Sequence, residues 1–74
     1  MNKLLLEVYD NDVDIRVDVY NYETVQVRFK KKRYSRVVYI KTKDLLDGGV
    51  DMEERLLQEL RVFLMCISKL EENA

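Results

Sequence analysis

The chain has 74 residues, with 13 basic and 14 acidic side chains for a net charge of −1, one cysteine and no histidine, proline or tryptophan. That size holds one domain, near the limit at which a single core leaves only about 3–5 kcal/mol of net stability, so self-association is a common remedy. A lone cysteine excludes an internal disulfide framework, the lack of histidine excludes the usual zinc-site spacings, and no apolar run approaches the roughly 18 residues that span a bilayer. Met1 leads directly into a structured pattern without a signal-peptide layout, so a reducing, cytoplasmic setting is expected.

The small net charge hides a segregation along the chain. Residues 1–20 carry two basic and five acidic groups, residues 21–43 eight basic and one acidic, and residues 44–74 three basic and eight acidic. The whole molecule is not attractive to a polyanion, but the middle segment alone is.

From the start, Lys3 to Tyr9 alternates, with Leu4, Leu6 and Val8 on one side and Leu5, Glu7 and Tyr9 on the other. This is the period-two pattern of a half-buried strand. Asp10-Asn11 reads as a two-residue turn, since both residue types tolerate positive φ. Asp12 to Tyr20 alternates more clearly, with Val13, Ile15, Val17 and Val19 inward and the charged residues outward. Asn21-Tyr22-Glu23 forms the next loop. Thr24 to Lys31 then places Val25, Val27 and Phe29 inward, Lys32-Arg33-Tyr34-Ser35 makes a tip, and Arg36 to Thr42 returns with Val38 and Ile40 inward.

The loop lengths test one another, because a slip of one residue turns an apolar face to water. Loops of two, three and four residues pair Val8 with Val13, Val19 with Val25 and Phe29 with Val38, and all three agree on one apolar face. The expected fold is therefore α+β: a four-stranded antiparallel meander with one C-terminal helix across that face, in a single domain over residues 1–74. Lys43 to Gly49 is the crossing connection, with Leu45 and Leu46 under the sheet edge or in a short helical turn.

The helix is expected over Asp51 to Asn73. Gly48 and Gly49 break the chain ahead of it, and Asp51 with Glu54 has the D-x-x-E spacing of a capping box. Leu56, Leu60, Phe63, Ile67 and Leu70 follow 4-3-4-3 spacing with Leu57 and Leu64 beside them, one wide stripe suited to a sheet. The run Val62 to Ile67 is six consecutive apolar residues. At about 100° per residue, Val62, Met65 and Cys66 leave the stripe for the flanks or back. A helix wet on its far side has polar residues there, so these three are expected to be covered by a second copy of the chain.

Chemistry-bearing constellations are few. Arg28, Lys30, Lys31, Lys32, Arg33, Arg36, Lys41 and Lys43, interleaved with Tyr34 and Tyr39, make the strongest functional candidate. Arg28, Lys30, Lys32, Arg33, Tyr34 and Arg36 on a hairpin suit the acidic groove of a protein, or phosphates with the ring stacked on a base. Lys and Arg also guard edge strands against pairing, which is the structural alternative. Asp10, Asp12 and Asp14 have the alternate spacing of a calcium loop but lack its turn glycine and closing glutamate, and read better as a solvated acidic edge. Tyr9, Tyr20 and Tyr39 offer an outer-face platform, although β propensity alone places tyrosines on strands. Cys66 has no histidine to activate it and reads as a packing residue. No phosphate loop, catalytic triad or inward carboxylate pair is present, so neither an enzyme nor a cofactor is expected.

The order of four meander strands and a helix, from about Leu4 to Leu70, resembles PC4-type single-stranded-DNA-binding domains in architecture, without a shared residue motif. That resemblance implies a dimer joined through the helix. In style the chain is similar to the accessory proteins that phages and other mobile elements encode, which commonly block a host enzyme or defence complex by surface contact. Two expectations follow: a non-catalytic, homodimeric protein-binding module with an inhibitor's mode of action, or a single-stranded nucleic-acid-binding dimer using the 28–36 hairpin. No membrane contact is expected.

Overall fold

Residues 2–47 and 49–73 are described by the computed structural model. In chain order they form α1 (Asn2–Asp10), β1 (Asp14–Asn21), β2 (Thr24–Lys31), β3 (Tyr34–Lys41), α2 (Thr42–Asp47) and α3 (Gly49–Glu72). The three strands make one antiparallel sheet in the order β1-β2-β3, and the helices pack on it, so the class is α+β.

The first element corrects the expectation of a fourth strand: Asn2–Asp10 is a helix. Its alternation is real but ambiguous. Leu4 and Val8, which are buried, satisfy a period of two and also the i, i+4 spacing of a helix face, while Leu6, expected inward, is exposed. The run Lys-Leu-Leu-Leu-Glu is built of good helix formers, and Val8 is its only β-branched neighbour in the element. Nine residues do not make a stable helix alone. Packing on α3 holds it, with an Arg61 Nη2 to Glu7 Oε1 bond of 2.9 Å and a 3.4 Å bond from the Leu4 amide, a first-turn donor, to Glu53 Oε2.

Asp10-Asn11, expected as a hairpin turn, instead ends α1. The Val13 amide donates to Val8 O at 3.0 Å and the Asp12 amide to Tyr9 O at 3.2 Å, with Asp12 at φ 54°. These are the two bonds of a Schellman motif, with Asp12 in the left-handed position usually held by glycine. Val13, the next residue, is buried with Val8, the apolar contact that accompanies the motif.

Between β1 and β2 the expected register holds, with Val17 opposite Val27 and Val19 opposite Val25. Tyr20 is the extra residue of an irregularity between Val19 and Asn21. Between β2 and β3 the register differs by two residues from that expected: Val27 faces Val38, Phe29 faces Arg36 and Lys31 faces Tyr34. The loop is therefore Lys32-Arg33 alone, with Lys32 at φ 56°. An even slip keeps every side chain on its face, so the face argument cannot detect it.

The core joins Val25, Val27, Phe29, Val38 and Ile40 of the sheet to Met52, Leu56, Leu57, Leu60, Phe63 and Ile67 of α3, with Leu4, Val8 and Val13 alongside. The rings of Phe29 and Phe63 stack at 6.3 Å. Leu45 packs against this core and Leu46 is exposed. Gly48 lies outside the described residues, and Gly49 is already helical, so Asp51 sits in the first turn of α3 rather than at its cap. Its charge still favours that end of the helix dipole.

Candidate partner-binding surfaces

Three surfaces follow from how the sequence folds locally: the basic hairpin, the back of α3 and the uncovered part of the sheet. The hairpin does not present its six expected residues together. Arg28 and Lys30 lie on the outer sheet face, opposite Arg16 and Asp14 on β1, which are the cross-strand pairs expected from the sequence. Lys32 is at the turn and bonds Glu71 Oε1 through Nζ at 3.0 Å. Arg33 Nη2 donates to Tyr34 Oη at 3.2 Å, and its guanidinium carbon stands 5.3 Å from that ring's centroid. The hydrogen bond to Tyr34 raises the Arg33 pKa above its ordinary value, so this group stays cationic. Tyr34 packs against the core.

Arg36 is on the inner face, where its Nε and Nη2 both donate to Glu59 Oε2 at 2.9 and 2.8 Å. The two side chains retain only 39% and 29% of their exposure. Two of the six hairpin residues are therefore matched by acids of α3, and the charge segregation of the sequence is partly a device that docks the helix on the hairpin. Arg28 and Lys30, with Arg16, remain for contact on the outer face. Tyr20 and Tyr39 meet there edge to face, with ring centroids 5.1 Å apart, whereas Tyr9 belongs to α1 and leaves the expected platform. Asp10 ends α1, Asp12 is the left-handed residue and Asp14 opens β1. Among the described residues, no three His, Cys, Asp or Glu side chains are grouped so that they hold a metal ion.

Along α3, Val62 and Met65 are 43% and 60% exposed, and Cys66 is an exposed free thiol rather than the packed residue expected. Leu70, expected on the buried stripe, is also exposed. Beside Cys66 and Leu70, a groove runs between α3 and β3, floored by Phe63 and Ile67 and edged by Tyr34 and Arg36. Its volume of about 160 Å³ suits one or two side chains rather than a cofactor.

The third surface is not legible in the sequence. Val17 and Val19 stand opposite buried Val27 and Val25 and so share the inner face, yet they are 57% and 77% exposed. The helix ion-pairs and stacks with β2 and β3, through Phe29 and Arg36, and leaves this part of β1 uncovered. Alternation reveals which face a residue takes but not whether anything covers it.

No helix among the described residues is long and apolar enough to cross a membrane. Compared with known proteins, the chain matches no family model, no curated protein and no solved structure.

Proposed function

We propose that this chain is a non-catalytic protein-binding module, working as a homodimer and acting by covering a surface of a larger protein, in the manner of phage inhibitors of host enzymes or defence complexes. One observation carries the reading: the strip of Val62, Met65, Cys66 and Leu70 lies exposed beside an apolar-floored groove on the longest helix of the molecule. Polar residues at these positions would cost the domain little, because none of the four is in the core. Apolar groups concentrated there suit a contact with a protein. The half-buried Arg36 at the groove's edge, paired with Glu59, supplies a polar rim to the apolar floor.

The test is selection from a random peptide display library on the immobilised chain. Apolar sequences are expected, with binding lost in Met65→Glu and kept in Arg28→Glu. A library that enriches nothing, or binders indifferent to Met65→Glu, removes the reading.

A second reading, a single-stranded nucleic-acid platform, is favoured by Tyr20 and Tyr39 beside Arg16 and Arg28 on an open sheet face. It differs in salt dependence. Binding of an oligonucleotide at low salt, falling with a slope of about −0.7 per phosphate neutralised, supports it; no binding at low salt eliminates it.

A further inference from the structure

The edge of β1 is self-complementary. It is an outer strand of the sheet, eight residues long, from Asp14 to Asn21. Its outer face carries Asp14, Arg16 and Asp18, and its inner face Ile15, Val17 and Val19. Neither Arg16 nor Asp18 has an ion pair within the described residues, and Arg16 is set opposite a like charge, Arg28. An edge strand with unpaired backbone groups and exposed inner valines is a template for a further strand.

We propose that the further strand is β1 of a second copy, antiparallel about a two-fold axis at Val17, so that the two three-stranded sheets become one continuous sheet. The register follows from charge and face alone. In an antiparallel pair, directly opposed residues share a face, so pairings that set Val17 against Arg16 or Asp18 are excluded. Of the pairings that remain near the strand centre, an axis at Arg16 sets Arg16 against its own copy and Asp14 against Asp18. An axis at Asp18 sets Asp18 against itself. An axis at Val17 sets Arg16 against Asp18 twice by symmetry, on the outer face. On the inner face it sets Val17 against Val17 and Ile15 against Val19. Of these three it is the one arrangement without like-charge opposition, and it covers both exposed valines.

The other edge argues for the same assignment. On β3 the inner face carries Arg36, an inward-pointing charge held by Glu59, which is a known way of closing an edge to pairing. The inner face of β1 carries no charge between Ile15 and Val19. The inference rests on the homodimer in the functional reading and assigns its contact to β1, which leaves the α3 strip of both copies free for a target.

The experiment is solution mass by light scattering over a concentration series, on the wild type and on variants Arg16→Asp and Asp18→Arg. Both sites are exposed, and Arg16→Asp also removes the repulsion from Arg28, so folded variants are expected and circular dichroism checks them. The wild type is expected to be a dimer, with each single reversal raising the dimer dissociation constant about tenfold or more. Mixing the two reversed chains restores a dimer, because each position 16 then faces a position 18 of opposite charge across the axis; the double reversal in one chain restores it as well. Reversals without effect, or a mixture no tighter than either chain alone, overturn the inference. If Met65→Glu separates the dimer and the reversals do not, the second copy sits on α3; the β1 contact fails and the homodimer stands. A wild type that is monomeric at high micromolar concentration also overturns the contact, while peptides captured through the α3 strip keep the protein-binding reading.

Discussion

The two edges of the sheet are finished in opposite ways. At β3, Phe63 and Ile67 of α3 approach the inner face, and Arg36 is anchored there by Glu59. At β1 the inner face continues as Val17 and Val19 with no helix above them. The same alternating pattern therefore ends in a closed border on one side and an open one on the other. The difference comes from the neighbour in the second layer, not from the strand itself.

The comparison can be broken most severely from the closed side. Phe63→Ala removes the ring that stacks on Phe29, at a cost of about 3–5 kcal/mol, which is most of what a domain of this size holds. A thermal melt followed by circular dichroism is expected to show a chain largely unfolded at room temperature. Glu59→Gln is milder, since Arg36 keeps an acceptor but loses its charged partner. A loss of about 1–2 kcal/mol is expected for this half-exposed, charge-assisted contact, read as a lower urea midpoint with an unchanged slope.

Asp12→Gly acts at the boundary where α1 yields to the open strand. Glycine carries no β-carbon into the left-handed position at φ 54°, so a gain of about 0.5 kcal/mol is expected in the same urea titration. The smallest effect sharpens the contrast. Val19→Thr changes the stability of the isolated chain by less than about 0.5 kcal/mol, because the site is mostly exposed. Buried Val25, directly opposite, gives a loss of more than about 1 kcal/mol with the same substitution, since the hydroxyl then enters the core. Equal losses at the two sites would mean that the β1 border is covered like the central strand beside it.

Much of this is legible in the residues. Val25, Val27 and Phe29, then Val38 and Ile40, mark their strands and inner face, and the 4-3-4 spacing from Leu56 to Ile67 marks the covering helix. The cross-strand pairs Arg16–Arg28 and Asp14–Lys30 also follow from counting. The failures have identifiable causes. Leu4 and Val8 fit both helical and extended periods, and nothing local decides between them until α3 is present to receive α1. The turn at Lys32-Arg33 has no glycine to mark it, so counting overestimates its length by two residues in a way that alternation tolerates. In the candidate site, the exposure of Val62 and Met65 is visible on a helical wheel, whereas the capture of Lys32 and Arg36 by Glu71 and Glu59 depends on residues 39 and 23 positions away.

Because α3 contributes Met52, Leu56, Leu57, Leu60, Phe63 and Ile67 to the core, the sheet has no cover until this helix has been synthesised. At about 5–20 residues per second, the stretch from the end of β3 to the end of α3 takes about 2–6 s to synthesise, so β1, β2 and β3 are made before their lid. Hairpins close in microseconds, so the strands are not the slow partner. The pairs of Arg36 with Glu59 and Lys32 with Glu71 join residues made early to residues made late, so the closed border can form only once α3 exists.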